Sequence, residues 1–86
     1  MKEFFIQIKC EMGRTYDVAH AATSRPEVVQ VFSISGDYDL LVRCRLDPEA
    51  DIGHFVTGVM QRIGGVRDTF TIMTYSMFEG LGSTPA

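Results

Sequence analysis

The segment from Ser35 to Asp39 contains the residues of this chain best suited to bind a small charged molecule. Two carboxylates, Asp37 and Asp39, flank Tyr38, which offers a hydroxyl and a flat aromatic face. Gly36 can adopt a positive φ without a Cβ clash, which leaves the backbone N–H groups around it open. Carboxylates accept hydrogen bonds from an ammonium group and N–H groups donate to a carboxylate. This segment therefore predicts a site for a small zwitterion.

The same segment is also typical of a plain turn. It lies between apolar runs at 28–32 and 40–46, so it should connect two strands. Gly-Asp pairs are common in such turns, and the two acids would then only be solvated. Turn chemistry by itself favours this structural interpretation, and the residue types leave both open.

No other group of residues has the types and spacing of a reactive site. His20 and His54 each have one acid nearby but no second histidine at ligand spacing, which favours plain helix-face residues over a metal site. The Gly-Gly pair at 64–65 ends a predicted helix, so it is not a phosphate loop, and no Gly-x-Ser-x-Gly elbow is present. Cys10 and Cys44 lack a Cys-x-x-Cys spacing and are expected to be buried, reduced thiols. We expect no catalytic residue, no metal and no cofactor.

The charge balance of the chain argues against nucleic acid and membranes as partners. Eleven Asp and Glu outweigh eight Lys and Arg over 86 residues, which gives a net charge of −3. The basic residues are scattered, whereas nucleic-acid binders usually show a basic face. No apolar stretch approaches the roughly 20 residues of a membrane helix, and no signal peptide is recognisable. We expect a cytoplasmic protein.

Hydrophobic periodicity predicts the elements that position the turn. Apolar and polar residues alternate in four segments, which indicates strands. The segment 79–86 is small and rich in helix and strand breakers, so we expect a domain over 1–78 followed by a frayed tail or an arm. The predicted strands are residues 4–10, 27–35, 40–46 and about 66–78.

Two helices are predicted between these strands. The first covers about 14–24, where Thr15 can cap its start and Pro26 ends it. The second covers about 47–63, where Asp47 should be the N-cap ahead of a proline. Its apolar residues recur at helical spacing, which is the strongest amphipathic signal in the chain.

The order β-α-β-β-α-β with right-handed crossovers predicts an α+β fold of the ferredoxin-like type. Its four-stranded antiparallel sheet should have the strand order 4-1-3-2, with two helices on one face. The other face would be apolar and uncovered, which favours a second subunit. We therefore predict a face-to-face dimer whose two sheets close into a dimeric α/β barrel.

Two motifs in this order of elements resemble the effector domain of the Lrp/AsnC regulators, also called the RAM domain. One is the Ser-Gly-Asp-Tyr-Asp-Leu-Leu run that ends at Leu41. The other is the Gly-Gly-Val-x-x-Thr-x-Thr run from Gly64 to Thr71. The resemblance covers residues 1–78. The Gly-Asp-Tyr-Asp motif is fairly specific in this context, whereas the helix patterns are not.

The resemblance implies a function for the turn. Members of the family bind amino acids in a cleft between dimers, and the dimers assemble into an octamer or a similar ring. By analogy, acids would hold the ammonium group of the ligand, while backbone N–H groups and threonine hydroxyls would hold its carboxylate. The implied ligand-binding residues are Ser35, Gly36, Asp37, Tyr38, Asp39, Thr69 and Thr71.

The resemblance also implies a role without direct DNA contact. Full-length members carry an N-terminal helix-turn-helix domain, whereas this chain begins at the first predicted strand. We therefore expect a stand-alone, non-enzymatic module for amino-acid binding and oligomerisation in transcription regulation, able to join a full-length regulator of the family. Two alternatives stay open: a small monooxygenase-like enzyme on the same barrel, with His20 as its one candidate residue, and a purely structural assembly module.

Overall fold

Alternating apolar residues place the first strand, β1 (Lys2–Cys10), at the centre of the molecule. In the computed structural model, which describes residues 1–83, Phe4, Ile6 and Ile8 are fully buried and Cys10 is nearly so. Successive side chains of a strand point to opposite faces of the sheet. The even-numbered residues of β1 therefore build the core.

Three further strands and two helices complete the fold. The sheet has the order β2-β3-β1-β4, and every neighbouring pair is antiparallel. This confirms the predicted strand order and the α+β, ferredoxin-like fold. Within residues 1–83, no helix has the length and apolar character needed to cross a membrane. The elements after β1 are α1 (Thr15–Thr23), β2 (Val28–Ser33), β3 (Leu40–Leu46), α2 (Ile52–Gly58), a 3₁₀ helix (Met60–Arg62), β4 (Val66–Met73) and a second 3₁₀ helix (Leu81–Ser83).

Both helices pack on the same face of the sheet. Val18 and Ala22 of α1 are fully buried there, and Phe55 and Val56 of α2 are nearly so. The ring of Phe55 meets that of Phe4 edge to face, with centroids 6.2 Å apart. Burial of one such large apolar side chain stabilises the fold by about 1.5–3 kcal/mol. The apolar helical spacing in the sequence thus identified the packed side of α2 correctly.

The predicted start of α2 was wrong. The helix begins at Ile52, and its N-cap is Asp51, whose Oδ1 accepts the His54 N–H at 3.1 Å. Asp47 instead accepts the Glu49 N–H at 3.0 Å within a turn. A short acidic side chain that bonds its own backbone two residues on competes with helix formation.

The first helix also lacks the predicted cap. It begins at Thr15, but its N-cap position is occupied by Arg14, whose side chain caps no helix N–H group. The Arg14 Nε instead donates to Asp17 Oδ2 in the first turn at 3.2 Å. At the other end Ser24 occupies the C-cap position; its N–H donates to Ala21 O at 3.3 Å, and the Arg25 N–H donates to Ala22 O at 3.1 Å. The helix ends at Thr23, three residues before Pro26, as the proline predicts.

The last strand is shorter than predicted. Met73 pairs with Phe4 near the beginning of β1, and few partner residues remain beyond that point. Thr74 then bonds the sheet only through its side chain, since its Oγ1 donates to Glu3 O at 3.1 Å. Residues 74–80, here called the C-terminal arm, follow without helix or strand structure. The last three residues of the predicted tail lie outside the described part of the chain.

Gly65 permits the close approach of α1 to the turn that precedes β4. Its φ is +98°, and a Cβ atom there would lie 2.9 Å from Val18 Cγ2 and 3.0 Å from Arg14 Cβ. Its carbonyl accepts the Glu11 N–H at 2.8 Å. The glycine therefore meets both a conformational and a packing requirement.

The face of the sheet opposite the helices is uncovered in the single chain and is here called the open face. The register places aromatic and aliphatic side chains of all four strands on it, next to charged residues of β1 and β3. An uncovered apolar sheet face of this kind is the physical feature that favours a second subunit. Its apolar members are Phe5, Phe32, Leu41, Phe70 and Ile72.

Candidate functional site

The turn between β2 and β3, residues 34–39, is closed by its own backbone and is here called the acidic turn. The Ile34 N–H donates to Asp39 O at 3.0 Å, which keeps the two strands together at the tip. Gly36 has a φ of +101°, and apart from Gly36 itself and its two chain neighbours, no heavy atom of the described chain lies within 4 Å of the place where its Cβ would be. Its positive φ reverses the chain, and the space beside it is open to a ligand.

Asp39 holds the acidic turn against β1. Its N–H donates to Ile8 O at 2.9 Å, and its Oδ2 accepts the Cys10 N–H at 2.8 Å. Burial, and in second place the negative charge of Asp39, raise the pKa of the Cys10 thiol above its usual range. One carboxylate oxygen of Asp39 is therefore already used by the fold.

Asp37 is placed differently, although it lies only two residues away. Its side chain is exposed, and its backbone carbonyl accepts Lys9 Nζ at 2.7 Å. Over residues 1–83, its carboxylate makes no hydrogen bond or ion pair, and the N–H groups of 35–38 donate none to the protein. An unpaired carboxylate and four N–H groups without a protein acceptor thus lie in the same turn of the described chain, which is the complement of an amino acid's two charged groups.

Tyr38 joins the acidic turn to the open face. Its ring is half-buried and packs against the ring of Phe70 on β4, with centroids 6.2 Å apart and planes inclined by 36°. Offset aromatic pairs at this separation are favourable. The pair spans β1 and forms an apolar wall below the tip of the turn.

The two threonines of the predicted site lie apart from the turn. Thr69 and Thr71 pair with Ile8 and Ile6, so their side chains point to the helix-covered face. The Thr69 hydroxyl already accepts Gln61 Nε2 at 2.8 Å. Because β1 separates β3 from β4, the turn and the threonines are roughly 10 Å apart across the sheet. One chain gathers Ser35, Gly36, Asp37, Tyr38 and Asp39 into one tip and leaves both threonines outside it.

A groove with a volume of about 530 Å³ lies on the open face, at the end of the sheet away from the acidic turn. Sequence reasoning did not identify it, because it is built by strand register together with the C-terminal arm. Strand alternation does place the charged residues of β1 and β3 on one face, and this pattern was the one sign of the groove in the sequence. The lining residues are Glu3, Phe5, Gln30, Phe32, Arg43 and residues 74–77.

Glu3 is the centre of a charged cluster in this groove. Its Oε1 lies 2.8 Å from Arg43 Nη2, and its Oε2 lies 3.5 Å from Arg45 Nη2. The hydrogen bond from Arg43 is the main cause that holds the pKa of Glu3 below its usual value. Two guanidinium groups face one carboxylate, so the cluster has one excess positive charge.

Both histidines lie on exposed helix surfaces. His20 is exposed on the outside of α1 instead of facing the space between helices and sheet. His54 is exposed as well, and its Nε2 lies 3.9 Å from Asp51 Oδ2. In the part of the chain that is described, no three His, Cys, Asp or Glu side chains are grouped so as to hold a metal ion.

Comparison with known proteins gives one consistent result. The family model described as the Lrp/AsnC ligand binding domain matches residues 3–79. The HTH-type transcriptional regulator FL11 of Pyrococcus furiosus is 30% identical over 81 residues, which cover 94% of this chain and 53% of that protein. The chain spans about half the length of the curated relatives it matches.

Solved structures agree with this match. The crystal structure of FFRP-DM1 superposes with a TM-score of 0.81 at 25% identity and covers 87% of this chain and 100% of that chain. The transcriptional regulator NMB0573 of Neisseria meningitidis, solved in complex with L-Met, has the same fold, with a TM-score of 0.82 at 21% identity. That likeness covers 98% of this chain and 56% of the regulator. The chain therefore belongs to the Lrp/AsnC ligand-binding domain family.

Proposed function

We propose that this chain binds a free amino acid at its acidic turn, as a non-enzymatic module of transcription regulation that works in an assembly of several copies. One observation carries the choice of ligand. The unpaired carboxylate of Asp37 lies beside the open N–H groups of residues 35–38. A free amino acid presents an ammonium and a carboxylate two bonds apart, which suits this pairing.

Each end of the ligand has a partner in the turn. Asp37 accepts hydrogen bonds from the ammonium group, and the N–H groups beside Gly36 donate to the carboxylate. Hydrogen bonds to charged groups contribute about 1.5–3 kcal/mol each. Bonds to the ammonium and to the carboxylate together would then determine the affinity for the ligand. Asp39 serves as a positioning residue, because its bond to the Cys10 N–H holds the turn.

A second copy of the chain completes the site. Thr69 and Thr71 lie across β1 from the acidic turn of their own chain, so they reach a ligand only at the turn of another molecule. The apolar open face supplies a reason for copies to associate into dimers, and dimers into a ring. A full-length regulator that carries the same domain is a further partner for such an assembly. A partner of this kind is the reason for proposing that the chain works in the cytoplasm.

The ligand class agrees with a neighbour in fold. The Neisseria regulator was solved with L-Met, which is a free amino acid. Its low identity to this chain makes the likeness one of fold, so the side chain of the ligand is open in our proposal. The ammonium and the carboxylate, which all amino acids share, are what the acidic turn would recognise.

Isothermal titration with each of the common amino acids tests this function. We expect at least one to bind at millimolar concentration or below, and Asp37→Asn to weaken its binding by about tenfold or more, as the loss of one charged hydrogen bond implies. Glu49→Gln is the matched control, because it removes the charge of an exposed acid outside the turn.

Two results would overturn the amino-acid assignment. One is the absence of binding by every common amino acid to the assembled protein. The other is equal affinity of wild type and Asp37→Asn for the amino acid that binds. A loss of assembly in Asp37→Asn, in a protein that binds no ligand, would favour the purely structural module.

A further inference from the structure

The C-terminal arm exposes apolar side chains that its own chain does not cover. Tyr75, Met77 and Phe78 are 96%, 76% and 90% exposed, and Leu81 just beyond the arm is 97% exposed. Single exposed apolar residues are common, but four within seven positions form a patch of the kind that marks an interaction site. The arm is therefore built to be covered by something outside its own chain.

The groove on the open face has the chemistry to take such an arm. Residues 74–77 of the chain's own arm line part of it, which is the place that a partner's arm would take in an exchange. Phe5 and Phe32 supply apolar surface, and Arg43 and Arg45 share the single carboxylate of Glu3. The excess positive charge of this cluster calls for an acid from a partner. The arm carries one charged residue, Glu79, directly after its apolar side chains.

The arm is long enough to reach another molecule. Glu79 lies six positions after Met73, the end of β4, and an extended chain of this length spans roughly 20 Å. The shortest dimension of the whole chain is 22 Å. An extended arm is therefore about as long as the chain is thick, which is enough for its end to reach a molecule packed against its own sheet.

We propose that two copies exchange their C-terminal arms, so that Tyr75, Met77 and Phe78 of each lie in the other's groove and Glu79 meets Arg43 and Arg45 there. We take the association of copies from the proposed function but require no ligand. A second copy is the occupant because arm and groove of one sequence match in shape and charge. Twofold symmetry then forms both contacts at once.

Charge reversal in the full-length chain tests the exchange. Sedimentation velocity measures dimer dissociation for Arg45→Glu, which makes groove and arm both acidic, and for Glu79→Arg, which makes both basic. Each variant alone should dissociate at least about tenfold more readily than wild type, since like charges brought together at an interface are strongly unfavourable.

Mixing the two variants is the decisive step. A dimer with one copy of each has an acidic groove opposite a basic arm and a basic groove opposite an acidic arm. We expect the equimolar mixture to recover dimers, and the double variant R45E/E79R to recover them as well. An arm that folded back on its own chain would give no recovery on mixing.

The controls separate this contact from general charge effects. Glu49→Arg and Arg62→Glu reverse exposed charges in the loop before α2 and in the 3₁₀ helix after it, and both should dimerise as wild type does. Far-UV circular dichroism checks that Arg45→Glu, which loses its contact with Glu3, is folded.

Three outcomes would overturn the exchange. They are wild-type dimerisation by each single variant, no recovery on mixing, and a wild type that is monomeric at every concentration. The last would leave the groove to an occupant other than this chain. The first two outcomes leave the proposed amino-acid binding untouched, because dimers that form without exchanged arms can still complete that site. Titration with amino acids tests that binding separately.

Discussion

Asp37 and Asp39 show that one residue type can do two tasks within three positions. Asp39 gives a carboxylate oxygen to the Cys10 N–H at 2.8 Å and so belongs to the fold. Asp37 has an exposed carboxylate without a protein partner in the described chain. A satisfied acid positions the turn, whereas an unsatisfied acid beside open N–H groups can recognise a ligand.

Burial controls the reactivity of the Cys44 thiol. Its side chain is fully buried, and burial first, then the charge of Glu27, raises the pKa of its thiol to about 12. Because the thiolate is the reactive form, Cys44 should resist thiol reagents at about pH 8 until the protein unfolds. The rate of modification with and without urea measures this, and a native rate equal to the unfolded rate would contradict it.

The same shift predicts a dependence of stability on pH. The pKa of Cys44 is higher in the folded chain than its ordinary value of 9.0. The stabilisation of the folded state by the protonated thiol is therefore fully present below pH 9.0 and is lost as the pH rises toward about 12. Urea unfolding at about pH 8 and about pH 11 should show a larger loss of stability for wild type than for Cys44→Ala. Equal losses in the two proteins would assign the effect to other groups.

At the scale of elements, competition for hydrogen bonds decides where each element begins and ends. Asp47 satisfies the Glu49 N–H in a turn, and Asp51 takes over the capping of α2. β4 ends at Met73 because β1 offers it few further partners. Both boundaries differ from the sequence predictions, because the predictions used only the helix and strand preferences of each segment. They did not consider which backbone groups of other segments are available as hydrogen-bond partners.

The two aspartates before α2 provide a test of this capping. Asp51→Ala should lower the free energy of unfolding by about 1 kcal/mol, the usual cost of losing an N-cap side chain. Asp47→Ala should cost less, because its bond to Glu49 lies in an exposed turn. Chemical denaturation of both variants measures the difference, and a larger cost for Asp47→Ala would return the cap to the position that the sequence predicts.

At the scale of the whole molecule, the open face and the C-terminal arm leave the single chain incomplete. The helices cover one face of the sheet, so the aromatic residues of the other face meet water unless another copy covers them. The acidic turn lies at one end of this face and the groove at the other. Association of copies would therefore bring both within the same assembly.

A substitution on the open face tests that association. Phe70 is 54% exposed and packs against Tyr38, so Phe70→Lys should leave the core intact and weaken association through a charge in an apolar contact. Tyr16→Lys is the matched control, because Tyr16 is 73% exposed on α1. Analytical ultracentrifugation at micromolar concentration should show smaller species only for Phe70→Lys. Equal sedimentation of both variants and wild type would exclude the open face as the interface.

The sequence by itself determined the order of elements, the alternating pattern of the strands, the apolar side of α2 and the composition of the acidic turn. These features follow from periods of 2.0 and 3.6 residues and from local turn preferences, which are properties of short segments. They were sufficient for the strand order and for the family.

Only the tertiary structure decided how the functional groups are divided. It assigned Asp39 to the fold and left Asp37 free, put Thr69 and Thr71 beyond β1, and built the groove around Glu3. Each of these outcomes depends on a partner far away in the chain, fixed by strand register and not by local pattern. A sequence pattern shows which face a side chain occupies, but the register shows which distant group it meets.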